Sequence, residues 1–215
     1  SGTQAMVANY NPELMAITDN GDRVAFTTAE GVFELTNQSL AVEIIQLSSL
    51  IDVIALDYDK SGSLWAFPAD ASLSVEVYDQ TTVVRTLASP FLGVGLAAAI
   101  APEGTRIVQS IQTDDADSFL DVGVVLRDAN SIPLSLNEGL RIQPVLGTPI
   151  AVSWQEMASI RVLETTTSGL TAFSEYSVSG PRTQLPMPPN IGIELHAAAS
   201  ATSSYMLSAL SPIHI

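Results

Sequence analysis

Apolar and polar residues alternate along much of this chain in short runs. Leu73, Val75 and Val77, for example, are separated by single polar residues. A period of two places every second side chain on the same face of an extended strand, so each run predicts a strand with one buried face. Turn residues such as Asn20 and Gly21 separate neighbouring runs and are a strong signal for a hairpin. The pattern therefore predicts antiparallel hairpins along the chain.

One strand–turn–strand pattern recurs in three similar copies. These copies occupy residues 16–26, 55–67 and 99–108, and their turn glycines (Gly21, Gly62 and Gly104) are 41 and 42 residues apart. Such a spacing is within the period of propeller blades. Two looser copies without the glycine begin at Ala151 and Leu195. Further alternating segments that can complete four-stranded blades lie at residues 31–35, 40–45, 73–78, 82–87, 121–127 and 170–178. The sequence predicts an all-β, propeller-like fold of four to five antiparallel blades, in which the last blade can be incomplete.

This propeller is predicted to be a single domain over residues 11–215. Residues 1–10 are expected to be a linker or a remnant of expression, because the chain starts without an initiator Met or an apolar signal segment. Proline-containing stretches at 89–90, 144–149 and 186–189 are expected to separate the blades. The Ala-rich segments 96–100 and 197–201 are expected to be small-residue inner strands. Short helices are the alternative, because Ala is the best helix former.

Charge narrows the classes of partner. The chain has 8 Lys and Arg residues against 23 Asp and Glu, which gives a formal net charge of −15, and its arginines are scattered singly. Nucleic acid and anionic lipid surfaces are therefore disfavoured, whereas a basic protein partner would be attracted. No apolar run is long enough for a membrane-spanning helix. We expect no nucleic acid, no membrane insertion of this fragment, and a monomer that binds a protein partner.

The inventory of catalytic residues is sparse. Cysteine is absent, and the histidines, His196 and His214, accompany no nucleophile or zinc motif. The chain is therefore expected not to be an enzyme and to need no cofactor. A propeller hydrolase or lyase acting on polysaccharide is the alternative, based on carboxylate pairs or on clustered arginines. Arg23 and Arg106 occupy equivalent positions in two copies, but surface arginines that pair with nearby acids explain them better. A structural or adhesin module is a third alternative.

Two acidic segments raise the question of a metal. Asp57, Asp59 and Ser61 precede Gly62 at the alternate spacing of a Ca²⁺ loop, although the closing Glu of that loop is missing. They are candidate calcium ligands, but a hairpin turn that uses Asp, Ser and Gly for backbone geometry is the favoured interpretation. A second cluster could bind a cation or a basic partner, and a solvated loop is favoured for it. It consists of Asp114, Asp115 and Asp117.

Five aromatic residues could form a platform for a sugar or a peptide, because rigid aromatics provide large contact areas. They are Trp65, Trp154, Tyr58, Tyr78 and Tyr176. Packing between blades is the favoured interpretation for the two tryptophans.

Several of these segments together resemble a known family. Residues 62–66, residues 99–107, and residues 152–154 followed by 160–163 are similar, and in the same order, to motifs of the C-terminal β-propeller of the actinobacterial LpqB lipoproteins. The similarity extends from about Asn11 to Leu210.

The resemblance implies a context outside the cytoplasmic membrane. Members of that family are anchored by lipid and are linked to the extracellular part of a two-component sensor kinase. By this resemblance the chain is expected to be an extracytoplasmic protein-interaction module that modulates such a kinase and cell-envelope homeostasis. Its lipid anchor is expected in an upstream segment that is absent here.

Overall fold

The structure of this chain is built from β-strands. The computed structural model describes residues 13–38, 41–79, 84–113, 118–142, 147–155, 159–166, 168, 171–178, 183–185, 195–199 and 204–208. The strands of these residues are β1 (Met15–Ile17), β2 (Arg23–Thr28), β3 (Gly31–Gln38), β4 (Ala41–Ser48), β5 (Val53–Tyr58), β6 (Leu64–Pro68), β7 (Val75–Tyr78), β8 (Val84–Leu87), β9 (Val94–Ile100), β10 (Arg106–Gln112), β11 (Ser118–Arg127), β12 (Pro133–Ile142), β13 (Gly147–Gln155), β14 (Ser159–Thr166), β15 (Thr171–Ser177), β16 (Thr183–Leu185), β17 (Leu195–Ala199) and β18 (Ser204–Ser208).

The strands form consecutive antiparallel sheets in which every strand pairs with the next one along the chain. Four sheets have four strands each, β1–β4, β5–β8, β9–β12 and β13–β16, and we call them blades 1 to 4. β17 and β18 pair as a further hairpin. This order follows from the short turns, because a connection of a few residues can join only adjacent antiparallel strands.

The blades stand side by side with their first strands in succession. β1 contacts β5, β5 contacts β9, β9 contacts β13, and β13 contacts β17. Apolar clusters fill the spaces between blades 1 and 2, between blades 2 and 3, and between blades 3 and 4. Strand β6 is buried on both of its faces. Leu64 and Ala66 belong to the cluster shared with blade 1, and Trp65 and Phe67 belong to the cluster shared with blade 3. A blade covered on both faces needs a continuous apolar run in such a strand.

The alternating strand directions give the molecule two distinct ends. The turns that follow the first and third strands of each blade lie at one end, which we call the turn face. The turns that follow the second strands, together with the connections between blades, lie at the other end, which we call the connector face. Hydrogen bonds join blades 2 and 3 at both ends, from Lys60 N to Pro102 O (2.8 Å) at the turn face and from Gly95 N to Ala69 O (2.7 Å) at the connector face.

The repeat predicted from the sequence is confirmed. Gly21, Gly62 and Gly104 have φ angles of +74°, +78° and +67°, and each amide donates to the carbonyl three residues earlier. Glycine is favoured at these positions because side chains rarely adopt a positive φ. The paired strands of all five predicted hairpins are present, and the fold is all-β with antiparallel blades, as expected.

Several details differ from the expectations or refine them. The Ala-rich segment 96–100 lies in β9 and residues 197–199 lie in β17, which confirms the expected strands over the alternative of helices. Leu73 precedes β7 and is exposed, because a turn closed by the hydrogen bond from Leu73 N to Asp70 O interrupts the alternation. Pro149 lies within β13 and not in a loop, at a register shift that accommodates its missing N–H.

Some of the predictions fall outside the described residues. They concern residues 1–10, the proline-containing stretch 186–189, and the acidic cluster of Asp114, Asp115 and Asp117. The side chains of His196 and His214 are also outside the described part of the chain.

Candidate functional site

The turn that contains Asp59 is a buried polar junction between blades 2 and 3. The Asp59 carboxylate accepts hydrogen bonds from Ser61 N (2.9 Å), Ser63 N (3.1 Å) and Trp65 Nε1 (3.1 Å). From blade 3, Arg127 Nη2 forms an ion pair with Asp59 Oδ2 at 3.1 Å, and the Asp59 side chain is only 1% exposed. Both carboxylate oxygens therefore interact with donors of the protein itself.

This geometry bears directly on the three candidate calcium ligands. Ser61 donates its hydroxyl to Asp59, and Asp57 turns toward blade 3, where its carboxylate accepts from Ile100 N at 3.1 Å. Asp59 and Ser61 thus contact each other, whereas the Asp57 carboxylate faces the backbone of blade 3. In the described ranges, no group of three or more His, Cys, Asp or Glu residues is arranged to hold a metal. The arrangement favours the hairpin-turn interpretation over a calcium loop.

Asp57 has an unusual electrostatic environment. Burial raises the pKa of its carboxyl group from 3.8 to about 7, and the nearby charges of Asp59 and Asp19 act in the same direction. Hydrogen bonds from the amides of Ile100 and Tyr58 partly offset this rise. Asp57 is therefore a carboxyl group that changes its charge near neutral pH at the contact between two blades.

A second polar junction joins blades 1 and 2. Arg23 forms an ion pair with Glu34 at 2.6 Å, donates to the carbonyl of Gly62 in the next blade, and lies over the ring of Tyr58. Tyr58 donates its hydroxyl to Glu34 at 2.7 Å, and its burial raises the pKa of this phenol. Arg23 thus pairs with an acid, as expected, but its side chain is only 15% exposed and lies between blades rather than on the surface.

Other buried acids are also bound by neighbouring donors. Asp121 accepts two hydrogen bonds from Arg141, each of 2.7 Å, and this contact raises the pKa of the guanidinium. Glu164 accepts from Ser174 Oγ at 2.8 Å and from the hydroxyl of Tyr176. These contacts stabilise the blades and engage the carboxylates individually.

The five aromatic residues do not form an exposed platform. Trp65, Trp154, Tyr58, Tyr78 and Tyr176 are all buried. Trp154 packs in the cluster between blades 3 and 4 and donates its indole N–H to Ala99 O of blade 3 at 3.3 Å. Packing between blades, the favoured interpretation for the tryptophans, is confirmed.

An exposed apolar surface lies instead on the connector face of blades 2 and 3. We call it the connector patch and define it by four side chains that are 51–73% exposed. They are Ile51, Leu73, Leu92 and Val94. Neighbouring loops bring these residues together, because Gly95 N donates to Ala69 O, Ala71 N donates to Gly93 O, and Asp70 pairs with Val94 in a β-bridge. Clustered exposed side chains of this kind on connecting loops are typical of a binding surface.

The loops that carry the connector patch are anchored in the core. Ala71 and Phe91 lie in the same loops and are buried in the cluster between blades 2 and 3. Asp52 has a φ of +56°, which is rare for a residue with a side chain, and its carbonyl accepts the hydrogen bond from Ala69. The patch is therefore a pre-formed surface, which lowers the entropic cost of binding.

Acidic residues share the connector face with the connector patch. Four exposed carboxylates belong to the segments of the connector face: Glu13, Glu30, Asp52 and Asp70. Hydrogen bonds from Ser72 lower the pKa of Asp70, so this carboxylate stays charged. The described basic residues beside the first and third turns of the blades lie toward the opposite face: Arg23, Lys60, Arg106, Arg127 and Arg161. Arg141, near the connector-face end of β12, is engaged by Asp121.

Sequence reasoning did not identify the connector patch. Leu92 offered a signal, because it is a large apolar residue just after the loop predicted at residues 89–90, where strand alternation does not explain it. The alternation of Leu73 with Val75 instead suggested a buried strand position.

Comparisons with known proteins support the architecture. No protein-family model and no curated protein matches the chain. Solved structures are similar over 80–83% of the chain, at 11–16% identity: the hydrazine synthase of Kuenenia stuttgartiensis (TM-score 0.58, 13% identity), a nidogen/laminin complex (0.54, 11%) and an ancestral GH74 enzyme (0.52, 16%). The fold is that of a β-propeller. The chain spans 49%, 63% and 27% of those structures, respectively, and the likeness shows the fold alone. Among the residues that the structure describes, no helix is suited to cross a membrane.

Proposed function

We propose that this propeller is a non-enzymatic protein-interaction module and that its partner docks on the connector patch. The observation that carries the proposal is the group of four large apolar side chains held exposed on anchored loops. Removing such side chains from water on contact with a partner favours association. The buried aromatic residues and the individually bound carboxylates support this function better than a sugar platform or a catalytic carboxylate pair.

The biological setting of the proposal follows from the resemblance to the LpqB family. In this setting the chain belongs to an extracytoplasmic protein that is anchored to the cell membrane through a segment upstream of it. The partner is the extracellular part of a two-component sensor kinase, and docking modulates signalling in cell-envelope homeostasis. The net charge of −15 fits a partner with a basic docking surface.

Site-specific photocrosslinking in the native host tests the proposal. A photoreactive phenylalanine analogue replaces Leu92 or Leu73 in the connector patch, and Asn20, exposed on the turn face, serves as the matched control position. A discrete crosslinked protein is expected from the two patch positions and not from position 20. Equal crosslinking from both faces, or none from the patch, would refute the docking proposal.

Identification of the crosslinked protein by mass spectrometry tests the setting separately. The extracellular part of a sensor kinase is the expected product. A different single partner captured from the connector patch would preserve the interaction module and exclude the kinase as its target.

A further inference from the structure

We infer that the segment bound by the connector patch is cationic, with apolar side chains flanked by lysine or arginine. This inference rests on the proposed function and names the chemistry of the partner at the same surface. It derives from the carboxylates beside the patch, which form no ion pair with a basic residue in the described part of the chain.

The acidic residues lie next to the apolar ones. Asp52 directly follows Ile51 in the chain, and Asp70 forms the β-bridge with Val94. A partner side chain that covers Ile51 or Val94 therefore brings its own neighbours close to a carboxylate. Attraction at such short range is strengthened when the contact excludes water.

The carboxylates of the connector face differ from those inside the blades. Glu34, Asp59 and Asp121 each form an ion pair with an arginine. Glu13, Glu30, Asp52 and Asp70 form no ion pair with any described basic residue. The four exposed carboxylates are thus available to an incoming cation, while the turn-face cations Arg23 and Arg127 are already paired.

The same charges decide between classes of partner. Phosphate groups of an anionic membrane would face uncompensated carboxylates, and their repulsion would oppose the gain from burying the apolar side chains. A cationic protein segment gains from both contributions. The geometry therefore favours a lysine- or arginine-bearing segment over a lipid surface.

Fluorescence anisotropy with synthetic peptides tests this inference. The probe is a labelled peptide of lysine and leucine, and the comparison peptides replace lysine with glutamate or leucine with serine. Binding of the lysine–leucine peptide alone is expected, because the surface requires both positive charge and apolar contact. Equal binding of the glutamate–leucine peptide would overturn the inference, as would binding of the chain to anionic phosphatidylglycerol vesicles in a flotation assay.

Matched variants locate the bound peptide. D52N/D70N removes two charges beside the patch, and D19N/D22N removes two exposed charges on the turn face. The first pair should weaken binding about three- to tenfold, and the second less than about twofold, because short-range pairing exceeds the effect of net charge. Similarly, L92S should weaken binding, whereas L134S, at Leu134 of β12, which is 60% exposed against 73% for Leu92, should not. The inference would be overturned if D52N/D70N and D19N/D22N lost the same binding affinity, or if L92S and L134S did.

The outcome is distinguishable from failure of the proposed function. If the native partner crosslinks from Leu92 but D52N/D70N does not weaken the peptide or the crosslink, the interaction module remains and the cationic partner is refuted. If no partner crosslinks from the connector patch, the proposed function itself is refuted.

Discussion

Gly21 and Gly104 occupy equivalent turns of blades 1 and 3 but have different surroundings. Their φ angles are +74° and +67°, so alanine would strain the backbone at either position. A Cβ at Gly21 would meet open space, whereas a Cβ at Gly104 would overlap Arg127 Nη2 and Asp59 Oδ2. The repeat thus conserves a backbone shape at both turns, and at Gly104 it also leaves room for an ion pair.

The variants G21A and G104A should therefore differ in stability. G21A is expected to lower the free energy of unfolding by about 1–2 kcal/mol through backbone strain alone. G104A should cost at least about 3 kcal/mol, because it also displaces a buried ion pair. Urea unfolding followed by tryptophan fluorescence measures both values. Equal losses of unfolding free energy in G21A and G104A would show that the Arg127–Asp59 contact does not require a glycine at position 104.

At the scale of elements, the strands were predictable and their partners in the next blade were not. The alternation of Val75 and Val77 and the spacing of the turn glycines are local, and they gave the hairpins and their order. The pairing of Asp59 with Arg127 joins residues 68 positions apart on different blades. No local period encodes such a contact, because it depends on how two completed blades pack.

The junction of blades 2 and 3 provides a stability test of this contact. R127M leaves the buried Asp59 carboxylate without its cation and should lower the free energy of unfolding by about 3–5 kcal/mol. K60M removes the more exposed pair of Lys60 with Glu103, whose charged atoms are 3.6 Å apart, and should change it by less than about 1 kcal/mol.

Adding a second substitution at the same junction provides the control. D59N in the R127M background removes the uncompensated charge and should recover part of the lost stability, as measured by urea unfolding. If R127M and K60M were equally mild, the pair would not stabilise the junction.

For the whole molecule, the sequence indicated an acidic propeller but not the roles of its individual carboxylates. Composition alone gave the net charge of −15 and its consequence for partners. Which acids would be buried, paired or exposed depends on the position of each blade relative to its neighbours. The connector patch was missed for the same reason, since it consists of loops from separate repeats that meet only in the assembled fold.

The burial of Asp57 should make the stability of the molecule depend on pH near neutrality. Its pKa is about 7 in the folded chain and near the ordinary 3.8 when unfolded, so the folded chain takes up a proton first as the pH falls. Stability should therefore increase as the pH falls from 8 toward 5, by on the order of 1–3 kcal/mol. D57N, which is neutral at every pH, should lose this increase, whereas the exposed D22N should retain it. Urea unfolding at pH 8, 6.5 and 5 makes the comparison, and an identical pH dependence in the wild type and D57N would show that Asp57 is not the titrating group.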